Sequence, residues 1–282
     1  MLNHVVLPND PRQNQLLAAL SPGEWSRVRP HLEPIELSVG QILCEAGSPR
    51  LHAYFPTTSI ISLVYVTSDG TSTEIASIGN EGLAGITLIM GTLAAPFRTI
   101  VQSRGQAYRL RGEILTAEFS RGGDLQQSLL RYTQARLALI GQLAVCNQRH
   151  SIDQQLCRWL LLRLDRLASD ELTMTHEALA NTLGVRREGI TEAALKLQSA
   201  SLIKYSRGRI TVMDRTGIEA CCCECYGVVR RALDRLSACD AASPLAAFSL
   251  SSVIDTKPSA PPDRQVGMRG GNHCLTFARL AD

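Results

Sequence analysis

Two arginines and a glutamate, Arg186-Arg187-Glu188, follow at once on Leu183-Gly184-Val185, which interrupts an otherwise continuous amphipathic pattern from Thr175 to Gln198. Arginine can donate two hydrogen bonds to guanine O6 and N7, and a carboxylate can accept from cytosine N4. These residue types therefore offer non-covalent reading of base edges, provided that they stand exposed at a helix start. Thr175 suits an N-cap, after which Leu179, Ala180 and Leu183 face inward. Gly184 permits the left-handed backbone that ends a helix, and Val185 fills the corner. Ile190, Ala193, Ala194 and Leu197 make the buried stripe of the next helix, which leaves Arg187, Glu188, Thr191 and Glu192 outward. Helix, short glycine turn and helix at a steep angle form a helix-turn-helix.

Further on, "LIKYSRGRITV" alternates Ile203 and Tyr205 with Ile210 and Val212 across a turn at Gly208, the signature of a hairpin. Lys204, Arg207 and Arg209 on that wing, with Arg186, are placed to grip phosphates. Thr175, Arg186, Arg187, Glu188, Thr191, Glu192, Lys204, Arg207 and Arg209 are the candidate DNA contacts. A solvated charged face is the plainer interpretation of such residues; turn, buried stripe and wing in this order argue against it.

Other chemistries find less support. "EACCCECYG" invites a metal or iron–sulfur assignment, but if Cys221 to Cys225 lie on one helix, they cannot surround a tetrahedral ion with four thiolates. Small apolar residues packing a terminal helix is the preferred reading, no cofactor or metal is expected, and a metal at Cys221–Cys225 is kept as the alternative. His176-Glu177 lacks the second histidine of a zinc-protease helix and is read as an exposed first turn. No nucleophile with its base, phosphate loop or metal triad is visible, so an enzyme is not expected.

The elements that must position these residues follow from length and pattern. A chain of 282 residues can bury a full core, and a formal net charge of only +3 means that a nucleic-acid surface must come from local placement of Lys and Arg. The densest apolar run, Trp159 to Leu164, is short and flanked by arginine, so no membrane span is expected. The N-terminus lacks the pattern of a secretory signal, which predicts a cytoplasmic protein whose nine cysteines are mostly reduced. From Pro34 to Leu110, short apolar runs separated by Ala46-Gly47, Asp69-Gly70 and Gly79-Asn80 predict an antiparallel β-roll or barrel. Between Asp124 and Arg149 the period becomes helical. Leu125, Leu129, Tyr132, Arg136, Leu139, Leu143 and Cys146 form a coiled-coil seam interrupted by one arginine, with a second stripe of Leu130, Thr133, Leu137, Ile140 and Ala144 beside it. One stripe can pack on the β-roll while the other meets a partner; Leu125, Leu129, Tyr132, Arg136, Leu139 and Leu143 are assigned to dimerisation, and a single helix buried inside one monomer is the plainer alternative. Ser151 opens another helix with a capping-box spacing to Gln154.

The order of β-roll, long helix and winged helix-turn-helix resembles the Crp/Fnr transcription regulators from about Ser21 to Leu236. "GVRREGI", Gly184 to Ile190, is similar to that family's Gly-x-Ser-Arg-Glu-x-Val, with Arg186 in place of the serine and Glu192 where some members carry arginine. The resemblance implies an α+β fold: N-terminal arm (1–20), jelly-roll-like antiparallel β-roll sensor domain (21–123), dimerisation helix (124–149), C-terminal winged helix-turn-helix domain (150–238) and a disordered tail (239–282). It implies double-stranded DNA as partner, a homodimer, and RNA polymerase if the protein activates. Nucleotide-binding members hold the sugar with a glutamate after a glycine and the phosphate with an arginine. Here Gly85 is followed by Ile86, and Arg98 stands one place out of register with Phe97 nearer the position, so Gly85, Ile86, Phe97 and Arg98 outline an effector pocket not suited to a cyclic nucleotide. The competing function is a ligand or redox sensor whose helix-turn-helix contacts other proteins.

Overall fold

The computed structural model describes residues 10–238 apart from 69, 93 and 168–170. The tail expected over 239–282, Asp69 of one expected turn, and the first nine residues of the arm lie outside the described residues. Two short helices come first, α1 (Gln15–Ala18) and α2 (Pro22–Val28), the latter opened by a capping box between Ser21 and Glu24. Leu16, Leu17 and Leu20 are buried together with Phe55, Leu83 and Leu110, so the chain packs against the β-roll from this segment onward.

Seven antiparallel strands follow: β1 (Glu33–Leu37), β2 (Ile42–Cys44), β3 (His52–Pro56), β4 (Ile60–Val66), β5 (Ser72–Ile78), β6 (Arg98–Ser103) and β7 (Gly105–Arg111). They form one sheet ordered β1-β7-β3 and another ordered β2-β6-β4-β5. Alternate residues point to one face of a strand, and Leu37, Ile61, Leu63, Ile78, Val101 and Ala107 meet in a common core. This is the expected β-roll.

After α3 (Gly112–Arg121) the chain turns through Gly122 and Gly123, both at positive φ, into α4 (Asp124–Arg149), whose limits are those expected of the long helix. Leu125, Leu129 and Tyr132 pack on the β-roll, and the Tyr132 hydroxyl donates to the Leu83 carbonyl at 3.1 Å. Gly82 makes this approach possible, because a Cβ there would stand 2.4 Å from the Tyr132 ring.

The burial of α4 bears directly on the residues assigned to dimerisation. Leu125, Leu129, Tyr132 and Arg136 are buried within the chain, and Leu139 and Leu143 are half-buried beside Trp159 and Leu162. The apolar surface left open belongs to the second stripe: Leu130 is 53% and Leu137 65% exposed, with Gly141, Ala144 and Val145 exposed beyond them. The stripe assigned to dimerisation is thus the one that packs within the chain, and the second stripe is the one left exposed. Two stripes of similar hydropathy carry no mark of which one the β-roll will take.

The last part comprises α5 (Ile152–Leu164), β8 (Glu171–Thr173), α6 (His176–Leu183), α7 (Arg187–Ser199), β9 (Ile203–Ser206), β10 (Arg209–Val212), α8 (Arg215–Cys221) and α9 (Cys225–Ala238). Ser151 and Gln154 form the expected capping box at the start of α5. Leu156, Leu160, Leu179, Leu183, Ile190, Ala194, Leu197, Ile203, Ile210 and Ile218 share one core. Helix α9 lies along α4, and Arg163 and Arg166 of the α5 end pair with Glu74 at 2.5 Å and Glu81 at 2.9 Å on the β-roll.

Candidate nucleic-acid interface

The helix-turn-helix forms for the reasons its residues suggest. The Thr175 hydroxyl accepts from the Ala178 N–H at 3.1 Å and caps α6. Gly184 adopts φ 68°, ψ 35°, and its N–H bonds the Ala180 carbonyl, which ends α6. That left-handed conformation strains any residue with a Cβ. The core then takes Ile190, Ala193, Ala194 and Leu197 from α7, as the sequence pattern requires.

Arg186, Arg187, Glu188 and Glu192 are exposed on the outward side of α7, and Thr191 is half-buried. Among the described residues, Arg186, Arg187, Lys204 and Arg207 make no ion pair, whereas Arg209 lies 3.4 Å from Glu171 and Glu192 lies 3.1 Å from Lys196. The wing closes through Arg207 (φ 49°) and Gly208 (φ 76°), with Ser206 paired to Arg209. Two left-handed residues are what a two-residue hairpin turn of primed type demands. Arginine is a costly choice for such a site, by about 1 kcal/mol against glycine, and it places an exposed guanidinium at the wing tip.

His176 is a residue whose role the sequence did not disclose. It is half-buried instead of standing free in an exposed first turn: its ring stacks on Tyr205 of the wing, and its Nδ1 lies 3.0 Å from the Thr191 hydroxyl of α7. That hydroxyl donates to the Arg187 carbonyl at 3.0 Å, so its lone pairs are free to accept from the imidazole. Burial, and then the Arg187 charge, push the imidazole below the usual histidine range and favour its neutral form. Only the alternation that placed Tyr205 near the recognition helix could have hinted at this contact.

The decisive comparison concerns this same region. Residues 154–221 match the family described as the Crp-like helix-turn-helix domain. This part of the chain is a Crp-like helix-turn-helix domain. The Crp-like domain and the β-roll together have the fold of several solved structures. A protein described as a transcriptional regulator of the Crp/Fnr family from Eubacterium rectale ATCC 33656 superimposes with a TM-score of 0.61 at 19% identity, covering 74% of this chain and 98% of that one. FixK2 from Bradyrhizobium japonicum gives 0.57 at 13% identity over 68% and 98%. CLP, a c-di-GMP responsive global regulator from Xanthomonas campestris, gives 0.52 at 16% over 68% and 99%. At these identities the likeness is one of fold. No curated protein sequence matches the chain.

Outside the Crp-like domain, the residues outlined as an effector pocket are partly separated. Gly85 starts a short 3₁₀ turn, Ile86–Met90, and is buried, with φ 126°. Phe97 packs on the β-roll core, while Arg98 pairs with Glu45 at 2.8 Å. The buried cation of the roll is instead Arg50, 2% exposed, whose Nη2 donates to Thr99 at 2.7 Å while Nε and Nη1 have no partner among the described residues. No sequence motif set Arg50 apart.

Two further clusters adjoin the Crp-like domain. A cavity of about 60 Å³ between β5, α4, α5 and α6 is lined by Glu74, Arg136, Arg158, Trp159 and Arg163 among others. At the end of α4, Cys146 and His150 meet Cys223 and Cys225, a set whose ligand atoms could hold a metal ion. The cysteine run is not one helix: α8 ends at Cys221, Cys222 is extended, and α9 begins at Cys225. The argument that a single short helix cannot enclose an ion does not apply here, because two of the four groups come from elsewhere in the chain. Among the described residues, no helix is long and apolar enough to cross a membrane.

Proposed function

We propose that the chain is a sequence-specific DNA-binding transcription regulator that acts as a homodimer, with α7 in the major groove and the wing on the flanking backbone. The carrying observation is the pair Arg187 and Glu188, exposed at the first turn of α7 and flanked by Arg186, Lys204 and Arg207, which make no ion pair among the described residues. Helix-turn-helix proteins present base-reading groups at this part of the second helix, and dimers space two such helices one DNA turn apart. The exposed Leu130 and Leu137 on α4 supply an apolar seam for the second copy. An activator would also meet RNA polymerase, and a cytoplasmic location suits the role.

Cyclic nucleotide control does not fit this reading. Ile86 offers no acceptor for a sugar hydroxyl, and Arg98 is engaged by Glu45. The alternative, a sensor whose helix-turn-helix only contacts proteins, leaves Lys204 and Arg207, which make no ion pair among the described residues, without a counterpart.

Selection of bound sites from randomised duplexes, with and without cyclic AMP, tests the reading. A defined two-fold symmetric site should emerge and be unaffected by the nucleotide. Arg187→Ala should cost about 1 to 3 kcal/mol on that site and relax preference at one base pair per half-site. Equal weakening on all sequences would make Arg187 a phosphate contact, and recovery of no preferred site would reject sequence-specific recognition.

A further inference from the structure

Where the long helix ends, four potential ligands come together from two distant parts of the chain. Cys146 lies in the last turn of α4 and His150 caps that helix, so the two stand one turn apart on the same side. Cys223 and Cys225 sit at the break between α8 and α9. The Cys146 and Cys223 sulfurs are 3.6 Å apart, and the His150 Nδ1 is 3.4 Å from the Cys225 sulfur. All four ligand atoms lie within 4.8 Å of one another.

We propose that Cys146, His150, Cys223 and Cys225 form a tetrahedral site for one thiophilic divalent cation, zinc in particular, which clamps the α8–α9 junction onto the end of α4.

The spacing selects a single ion. Zinc–sulfur bonds near 2.3 Å put sulfurs on a tetrahedron about 3.8 Å apart, close to the 3.6 Å of Cys146 and Cys223. A four-iron cluster would occupy the centre and hold its thiolates much farther apart than these atoms stand. Three sulfurs and one imidazole nitrogen are also a donor set that zinc takes in closed, structural sites.

The surroundings are those of ligands and go beyond what filling a core needs. Cys146, Cys223 and Cys225 are all buried. The other imidazole nitrogen of His150, Nε2, lies 3.3 Å from a Glu224 carboxylate oxygen. A metal-bound histidine characteristically donates its second N–H to such a group, which fixes the tautomer and turns the free nitrogen to the ion. Gln142 Nε2 stands 3.0 Å from the Cys225 sulfur, where its N–H can donate to a thiolate. Three thiolates and a neutral imidazole around a divalent cation leave one net negative charge. The contact with Cys223 and burial push the Cys146 thiol up in the absence of an ion, and Arg158, 5% exposed and with its Nε lacking a partner among the described residues, is a buried cation whose charge opposes that shift.

The consequence is mechanical. His150 is followed directly by Ser151, the cap of α5, so the clamp sits at the joint between α4 and the Crp-like domain. Metal occupancy would set how firmly α9 and that domain are held to the long helix. This inference stands whether or not the chain binds DNA.

The test uses the full chain purified under reducing conditions. Elemental analysis should find about one zinc per chain, and cobalt exchanged into the site should show thiolate charge-transfer bands with tetrahedral ligand-field bands. Cys146→Ser and Cys223→Ser should lower occupancy at least about tenfold, Cys44→Ser in the β-roll should leave it unchanged, and Glu224→Ala should weaken affinity by about tenfold. His150→Cys keeps four ligands, and its cobalt form should gain charge-transfer intensity, which keeps the proposal testable if the serine variants fail to fold. Reduced protein that takes up neither zinc nor cobalt would overturn it. So would stoichiometric iron with acid-labile sulfide, an octahedral cobalt spectrum, or a Cys146–Cys223 disulfide in protein isolated without air.

Discussion

The rings of His176 and Tyr205 stack with centroids 4.3 Å apart and planes 14° from parallel, joining the start of α6 to the wing. Because His176 also meets Thr191, this stack ties wing and recognition helix into one surface. Aromatic pairs contribute about 0.5 to 1.5 kcal/mol beyond burial, and His176→Ala should lower the melting temperature by a few degrees. A double-mutant cycle with Tyr205→Ala checks it: strictly additive losses would mean that the stack contributes nothing.

The same imidazole gives a pH signature. Its folded-state pKa lies below the ordinary 6.5, first through burial and then through Arg187. The unfolded chain therefore binds the proton more readily, and stability falls as pH drops from about 6.5 toward the folded value. His176→Phe should remove that part of the decline, as measured by melting at pH 7.5 and 5.5.

Arg207 separates stability from binding. At φ 49° it strains a hairpin tip that asparagine tolerates well. Arg207→Asn should raise stability by up to about 1 kcal/mol. It should also weaken specific and random DNA alike and reduce the salt slope by about one unit. Unchanged affinity for random DNA would place the wing tip away from the backbone.

The two faces of α4 make opposite predictions. Leu130→Asp with Leu137→Asp should yield folded monomers by sedimentation, since both side chains are exposed. Leu129→Asp buries a carboxylate where nothing pairs with it and should unfold the β-roll instead. A dimer that survives the double substitution would move the interface elsewhere.

The pair Glu81 and Arg166, each side chain 7% exposed, should dominate acid sensitivity where α5 meets the roll. Burial opposes ionisation of Glu81, but the Arg166 charge, its hydrogen bonds and the Gly79 N–H outweigh it and hold the carboxyl below the usual range. Its contribution is thus complete above about pH 4.5 and lost as pH falls through the folded pKa. Glu81→Gln leaves Arg166 unpaired and should cost about 3 kcal/mol at pH 7, with the gap to the natural chain narrowing in acid. Urea unfolding at pH 7 and pH 3.5 measures both.

What the sequence determined by itself was local. The Ser151-Gln154 box, Thr175 cap, Gly184 turn and the stripe Ile190, Ala193, Ala194, Leu197 each follow from hydrogen-bond satisfaction or periodicity within a few residues. So do the strand alternation of the β-roll and the limits of α4. Tertiary structure alone decided which stripe of α4 is covered, because both are apolar and only the position of Gly82 and the roll distinguishes them. It alone brought Cys146 and His150 to Cys223 and Cys225, and Glu74 and Glu81 to Arg163 and Arg166. These partners lie tens of residues apart, and side-chain pattern along a chain carries no measure of distance between segments that meet only when the core closes.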